Sequence, residues 1–299
     1  MQDFEYVAAK SVAEVLTWLG GALQPVRILC GGTALLPQLR EGRRSAALVL
    51  DIKRVPEVNT LVFDPQDGLQ IGAAVPCLQI CHDPDVAQHY PGLVDAAGLI
   101  GGAQIQGRAS LGGNLCNASP AADSIPALIV YKAVCEILGP GGPRRLAVED
   151  FCLGPGQNAL QPGEFLCALR LPPPGAGFGA RYLRFTPRNE MDIAVAGCAA
   201  ALTLDPSGAF ILSARLALAA VGPRPLLAQE AGDYLAGKPP TPEHFSEAAR
   251  LAQEAATPIS DLRGAADQRH LLVDVLARRA LDGALTRAQT GPIHNEFHE

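Results

Sequence analysis

Three stretches of this chain concentrate residue types able to do chemistry. The first is Cys30-Gly-Gly-Thr33, lying between an apolar run and a helical one. Paired glycines let successive backbone N–H groups turn toward one point and let a ligand approach closely. Such a nest holds phosphate oxygens without lysine or arginine. A tight strand-to-helix turn accounts for two glycines equally well, and the stretch is neither a GxGxxG fingerprint nor a Walker loop. The second is SLGGNLCNASPAAD, Ser110 to Asp123, dense in glycine and small polar residues that a core does not need. Amides, hydroxyls and a carboxylate suit a pyrophosphate or a polyol chain; the alternative is a polar loop that caps the helix after Asp123. The third is Arg184-Phe-Thr-Pro-Arg188-Asn-Glu-Met-Asp192, two cations four apart before an aspartate and an apolar strand. A cation there could stabilise a reduced, anionic ring cofactor. For Arg188 a solvated pair with Glu190 and Asp192 is the better reading.

The elements that must position these stretches follow from punctuation and period. Ser11-Val-Ala-Glu14 is a capping box whose helix should end near Gly20-Gly21. Residues 26–30 and 46–51 read as buried strands, with a helical segment beginning after Thr33. A turn at Asp64–Gly68 joins two strands into a hairpin. Helices are expected over 91–99 and 125–131, and strands over 133–138 and 165–172. The run 172–177, PPPGAG, is the strongest boundary. Beyond it come three antiparallel strands, then a helix opened by Thr241-Pro242 and another over 264–285. Residues 286–299 lack periodicity and read as a loose tail. There is no internal repeat.

Bulk properties narrow the function. The 299 residues carry 48% hydrophobic and 18% charged side chains with net charge -6, an ordinary globular balance. Without a basic block, nucleic acid is not an expected partner. No segment approaches the roughly 20 apolar residues of a membrane span, and the N-terminus lacks a secretory pattern. The eight cysteines include no CxxC pair, so no metal site is expected; they read as buried, reduced thiols of a cytoplasmic protein. Cys77 and Cys81, four apart, could share a helical face. None of the six histidines needs more than a surface role, His82 and His89 flanking a loop. No catalytic acid, base or nucleophile is assigned.

Taken together, CGGTALLPQLR, SLGGNLCNASPAADSIPAL, LRLPPP and RNEMDIAVAGCAAAL resemble the FAD-binding medium subunit of the molybdenum hydroxylases, which include xanthine dehydrogenase and carbon monoxide dehydrogenase. The resemblance runs from about residue 3 to 285. It implies an α+β chain: a two-subdomain FAD-binding fold of the vanillyl-alcohol-oxidase (PCMH) type over 1–175, with subdomains of about 1–55 and 56–175. A C-terminal domain of three antiparallel strands and a helix bundle follows over 178–285. Carried over by position, the loop Cys30, Gly31, Gly32, Thr33, Ala34 and Leu35 would wrap the FAD pyrophosphate with backbone N–H groups. Ser110, Gly113 and Asn114 would form the second phosphate wall, and Ile100 and Ala109 are counted among the cofactor-binding residues. Asn117 and Asp123 would hold phosphate or ribityl oxygens, Leu166 would touch the flavin through its backbone, and Arg184 would stand near the ring.

Three positions depart from the family pattern. Cys30 stands where alanine is usual, Ala34 where aspartate is frequent, and Arg184 where lysine is common, which changes the shape of the charge. The 4-hydroxybenzoyl-CoA reductase branch carries a cysteine-rich insertion for an iron–sulfur cluster after GGNLC; here the chain runs straight on to Asn117 and Asp123, so no cluster is expected. The function implied is electron transfer. A large subunit with a molybdenum cofactor would oxidise substrate. A small subunit with two 2Fe-2S clusters would pass the electrons to FAD on this chain, in a dimer of heterotrimers. A stand-alone flavin oxidoreductase of the same fold and a flavin-free assembly scaffold are the alternatives.

Overall fold

The first helix begins where Ser11 accepts the Glu14 N–H at 3.2 Å. Glu14 reaches one residue further back than a reciprocal box, accepting the Lys10 N–H at 2.7 Å. This computed structural model describes residues 3–21, 24–189 and 191–290. Its N-terminal unit runs β1 (Glu5–Ala8), α1 (Val12–Gly20), β2 (Val26–Leu29), α2 (Leu35–Arg40) and β3 (Leu48–Asp51). The three strands are parallel in the order β1-β3-β2. The central strand, LVLD, is buried at all of its residues, which is why it reads as a continuous apolar run rather than an alternating one.

The second unit continues with β4 (Leu61–Asp64), β5 (Gly68–Gly72), α3 (Cys77–His82), α4 (Pro84–His89), α5 (Pro91–Ala97), α6 (Ala103–Gln106), α7 (Leu111–Asn117) and α8 (Ser124–Val130). Then come β6 (Val134–Gly139), β7 (Gly142–Ala147), β8 (Cys152–Gly154), β9 (Gln157–Asn158) and β10 (Phe165–Leu171). A five-stranded antiparallel sheet, β4-β5-β10-β6-β7, backs the helices. Phe165, Cys167 and Ala74 from this unit pack with Val15, Leu50 and Ile52 of the first, so the two units share a core.

The third unit holds β11 (Phe178–Phe185), β12 (Ala196–Leu204), β13 (Ile211–Ala219), β14 (Leu226–Leu227), α9 (Gln229–Leu235), α10 (Pro242–Ala255) and α11 (Ala266–Thr290). Its sheet is sandwiched. Ala199 and Ala201 face the core of the second unit, while Cys198, Ala200 and Leu202 face the helices.

Several local expectations change. The Ser110–Asp123 stretch, which has no helix among the expected elements, opens with one: Ser110 caps α7. The C-terminal sheet gains a short fourth strand, β14, paired to β13. The last helix passes residue 285 and takes in 286–290 of the expected tail; the remainder of that tail, with His294 and His298, lies outside the described residues. His82 and His89 end helices α3 and α4, separated by Asp83. Cys77 and Cys81 share α3, and burial pushes their thiols up to about 12 and about 11. No helix among the described residues is long and apolar enough to cross a membrane.

Candidate functional site

β2 ends at Leu29 and the chain turns through Cys30–Ala34 into α2. Gly32 takes φ +77°, a left-handed conformation that favours glycine. A Cβ on Gly31 would lie 1.8 Å from the Arg108 carbonyl oxygen, so this loop is pressed against the segment entering α7. The backbone N–H groups of Gly31, Gly32, Thr33 and Ala34 donate to no described carbonyl or side chain. Consecutive free donors in a bent loop make a concave patch of positive potential.

The opposite wall is α7. Pro76 bridges to Ser110, and the Cys77 N–H donates to the Ala109 carbonyl at 2.7 Å, which fixes the helix start. The Ser110 hydroxyl accepts the Gly113 N–H at 3.1 Å. That amide is thereby spent on the cap, and Gly113 contributes closeness instead: a Cβ there would sit 3.0 Å from Ser110 Oγ and 3.8 Å from the Cys30 Cβ. Asn114 and Asn117, one turn apart, both line the space between the walls. That space is a cavity of about 530 Å³ closed by Ile28, Ile52, Ile100, Leu160 and Leu166, within the range of small-molecule and cofactor sites.

Charge is sparse where it could react. Glu164 lines the cavity but receives a bidentate pair of bonds from Arg144, both 2.7 Å. Those bonds hold its carboxyl below the usual range. Burial pushes the Cys30 thiol up to about 12 and Cys116 well above its ordinary value, so neither is a thiolate nucleophile. The lining supplies hydrogen-bond donors and apolar surface, and it holds the cations Arg27 and Arg44. It fits an anionic ligand with an apolar part.

Of the residues singled out in the sequence, Cys30 to Leu35, Ile100, Ala109, Ser110, Gly113, Asn114, Asn117 and Leu166 all border this cavity. Asp123 and Arg184 do not. They bond to each other, Arg184 Nη1 to Asp123 Oδ2 at 2.6 Å, and Tyr182 donates its hydroxyl to Asp123 Oδ1 at 2.8 Å. Burial pushes the Asp123 carboxyl up, while the Arg184 charge and the bonds from Tyr182 and Arg184 pull it back. The side chain of Arg184 is only 5% exposed, so a surface pair with Asp192 is not its role. Arg188 takes that part: it is exposed, reaches Asp192 at 3.8 Å and donates to the Met191 carbonyl. Glu190 lies outside the described residues. Sequence reading missed Gln38, Arg27, Arg44 and the 158–164 segment, which carry no motif. Tyr182 had a signal: it shares a strand face with Arg184 two residues on.

A donor-lined cavity whose one carboxylate is paired with Arg144 and whose two thiols burial keeps from ionising, set between a small parallel sheet and a larger antiparallel one, defines a nucleotide-cofactor-binding protein. Residues 2–174 match the family model "FAD binding domain in molybdopterin dehydrogenase" and residues 181–284 match "CO dehydrogenase flavoprotein C-terminal domain". The xanthine dehydrogenase FAD-binding subunit of Escherichia coli O157:H7 is 30% identical, covering 96% of this chain and 98% of that one. The carbon monoxide dehydrogenase medium chain of Hydrogenophaga pseudoflava is 31% identical over 95% and 98%. The solved structure of reconstituted CO dehydrogenase from Oligotropha carboxidovorans superposes with a TM-score of 0.90 at 30% identity, over 96% of this chain and 99% of that one. The chain belongs to the family of FAD-binding subunits of the molybdenum hydroxylases. It carries that family's FAD-binding domain and is a subunit of an oxidoreductase.

Proposed function

We propose that this chain binds one FAD, non-covalently, in the cavity between the Gly31–Thr33 loop and α7, and uses it to relay electrons. The observation that carries this is that Gly31 to Ala34, whose N–H groups have no described partner, line the same cavity of about 530 Å³ as Asn114 and Asn117. In this reading the loop Cys30–Leu35 receives the pyrophosphate through backbone donors. Ser110 and Gly113 keep α7 close enough to form the second wall, and Asn114 and Asn117 offer side-chain amides. Ile100, Ala109 and Leu166 exclude water from the ring. FAD, when bound, supplies the one- and two-electron chemistry; the protein's part is to bind, orient and shield it.

Electrons arrive from two 2Fe-2S clusters on a small subunit, fed by a large subunit that holds the molybdenum cofactor, and leave to a final acceptor. The relatives are medium chains or FAD subunits by name, which supports a division of labour among chains. We further assign residues 1–175 to cofactor binding and 178–285 to a C-terminal domain, within a cytoplasmic dimer of heterotrimers. The test is purification from the native host. Acid precipitation should release all flavin, as FAD, to the supernatant, and native mass analysis should show three kinds of chain. A colourless, folded chain, or a lone chain that oxidises an organic substrate unaided, would overturn the reading.

A further inference from the structure

We propose that Ser124 is a positioning residue that locks the amide orientation of Asn114, so that Asn114 presents N–H donors to acceptor oxygens of the bound dinucleotide. This rests on the flavin reading above. Ser124, at the start of α8, is fully buried. A buried hydroxyl needs an acceptor, and among the described residues Ser124 Oγ donates to Asn114 Oδ1, at 2.7 Å. Since the asparagine carbonyl must receive that proton, its NH₂ group is left to point elsewhere. Asn114 Nδ2 has no protein acceptor, yet it is not among the buried atoms lacking a partner, so it opens on the cavity that Asn114 lines.

Asn117 is tied to the other wall, but by an amide that can itself turn. Gln38 Nε2 donates to Asn117 Oδ1 at 3.1 Å, and Gln38 lies on α2, directly after the Gly31–Thr33 loop. The contrast is Asn158, which also lines the cavity. Its Nδ2 is given to the Cys116 carbonyl at 2.8 Å and its Oδ1 to the Leu160 N–H at 3.1 Å, so it ties the wall together rather than facing the ligand. An unlocked asparagine can rotate its amide by half a turn and offer a lone pair where a donor is required. Against an acceptor-only phosphate oxygen that exchanges attraction for repulsion.

The experiment uses the complex as purified, stripped of flavin and titrated with FAD. Ser124→Ala should raise the FAD Kd about tenfold, the equivalent of one hydrogen bond. In an Asn114→Ala background the same change should have no further effect, because the group it positions is gone. Asn114→Asp keeps an acceptor for Ser124 but presents oxygen instead of NH₂ to the cavity, and should weaken FAD more than Ser124→Ala does. Unchanged FAD affinity in Ser124→Ala would overturn the proposal. So would an equal loss with and without Asn114, which assigns Ser124 to packing. A wild-type complex that takes up no FAD would instead overturn the flavin reading itself.

Discussion

The cavity is lined mostly by neutral hydrogen-bonding groups, the N–H groups of Gly31 to Ala34 and the Asn114 and Asn117 side chains, with Arg27 and Arg44 as its cations. At the seam between the second and third units the groups are charged and already matched. Asp95 on α5 accepts Arg287 at 2.6 and 2.9 Å, Arg181 at 3.1 Å and the Tyr182 N–H at 3.2 Å. Asp123 takes Arg184 and Tyr182. The difference teaches how to separate a site from a joint. A joint must be electrostatically complete without help, because an unpaired buried charge costs several kcal/mol. A site for an anion keeps donors open and spends few full charges, so that it is complete only with its ligand.

If that contrast is right, breaking the joint should cost stability and breaking the site should cost affinity. The largest effect is expected from Asp95→Ala, which leaves Arg287 and Arg181 without their carboxylate. We expect a loss of about 3–5 kcal/mol by chemical denaturation, with FAD content per folded chain unchanged. A loss below about 1 kcal/mol would show that the seam is solvated and the contrast false. Asp123→Ala should lose about 3 kcal/mol for the same reason. The paired change Asp123→Leu with Arg184→Met should recover most of it, since removing both charges removes the unmet cation; a double variant as unstable as the single would point to packing instead.

Gly31→Ala acts on the site. Its Cβ would meet the Arg108 carbonyl oxygen at 1.8 Å, so the nest must shift away from α7. FAD affinity should fall at least tenfold and stability by about 1–3 kcal/mol, read by flavin titration beside thermal melting. Retention of wild-type affinity would remove the nest from the binding wall. The smallest effect concerns Glu164, whose carboxyl the Arg144 bonds hold low. Its folded-state pKa lies below the unfolded value, so the pair's contribution is present above the unfolded pKa, near 4. It is lost as pH falls through the folded value. Acid titration of stability should therefore be shallower below about pH 4 in Glu164→Gln, by roughly 1 kcal/mol. Equal slopes would mean that the pair is screened by water.

Much of the local order was legible along the chain. The Ser11 cap, the hairpin across Asp64–Gly68, the strands around Leu48–Asp51 and Phe165–Leu171, and the break at 172–177 all follow from period, cap and turn chemistry acting within a few residues. The helix α7 was not legible: Gly112 and Gly113 argue against one, and what holds it is the Pro76–Ser110 bridge and a core on its buried side, interactions between distant residues. For the same reason the two glycine-bearing motifs could be noticed separately, while their proximity, with Gly31 against Arg108, belongs to the packed chain.

What the sequence determined alone is therefore the type of each wall: which stretches carry glycine and small polar side chains. Backbone donors and residue chemistry travel with the chain wherever it goes. Only the tertiary structure decided which of those groups meet. It brought Gln38 to Asn117 across 79 residues and Ser124 to Asn114 across 10. It also paired Asp123 with Arg184, 61 residues on. Nothing near Asp123 in sequence could have announced that. A carboxylate buried beside a guanidinium is held by the energy of pairing charges away from water, which exists only once both have left it.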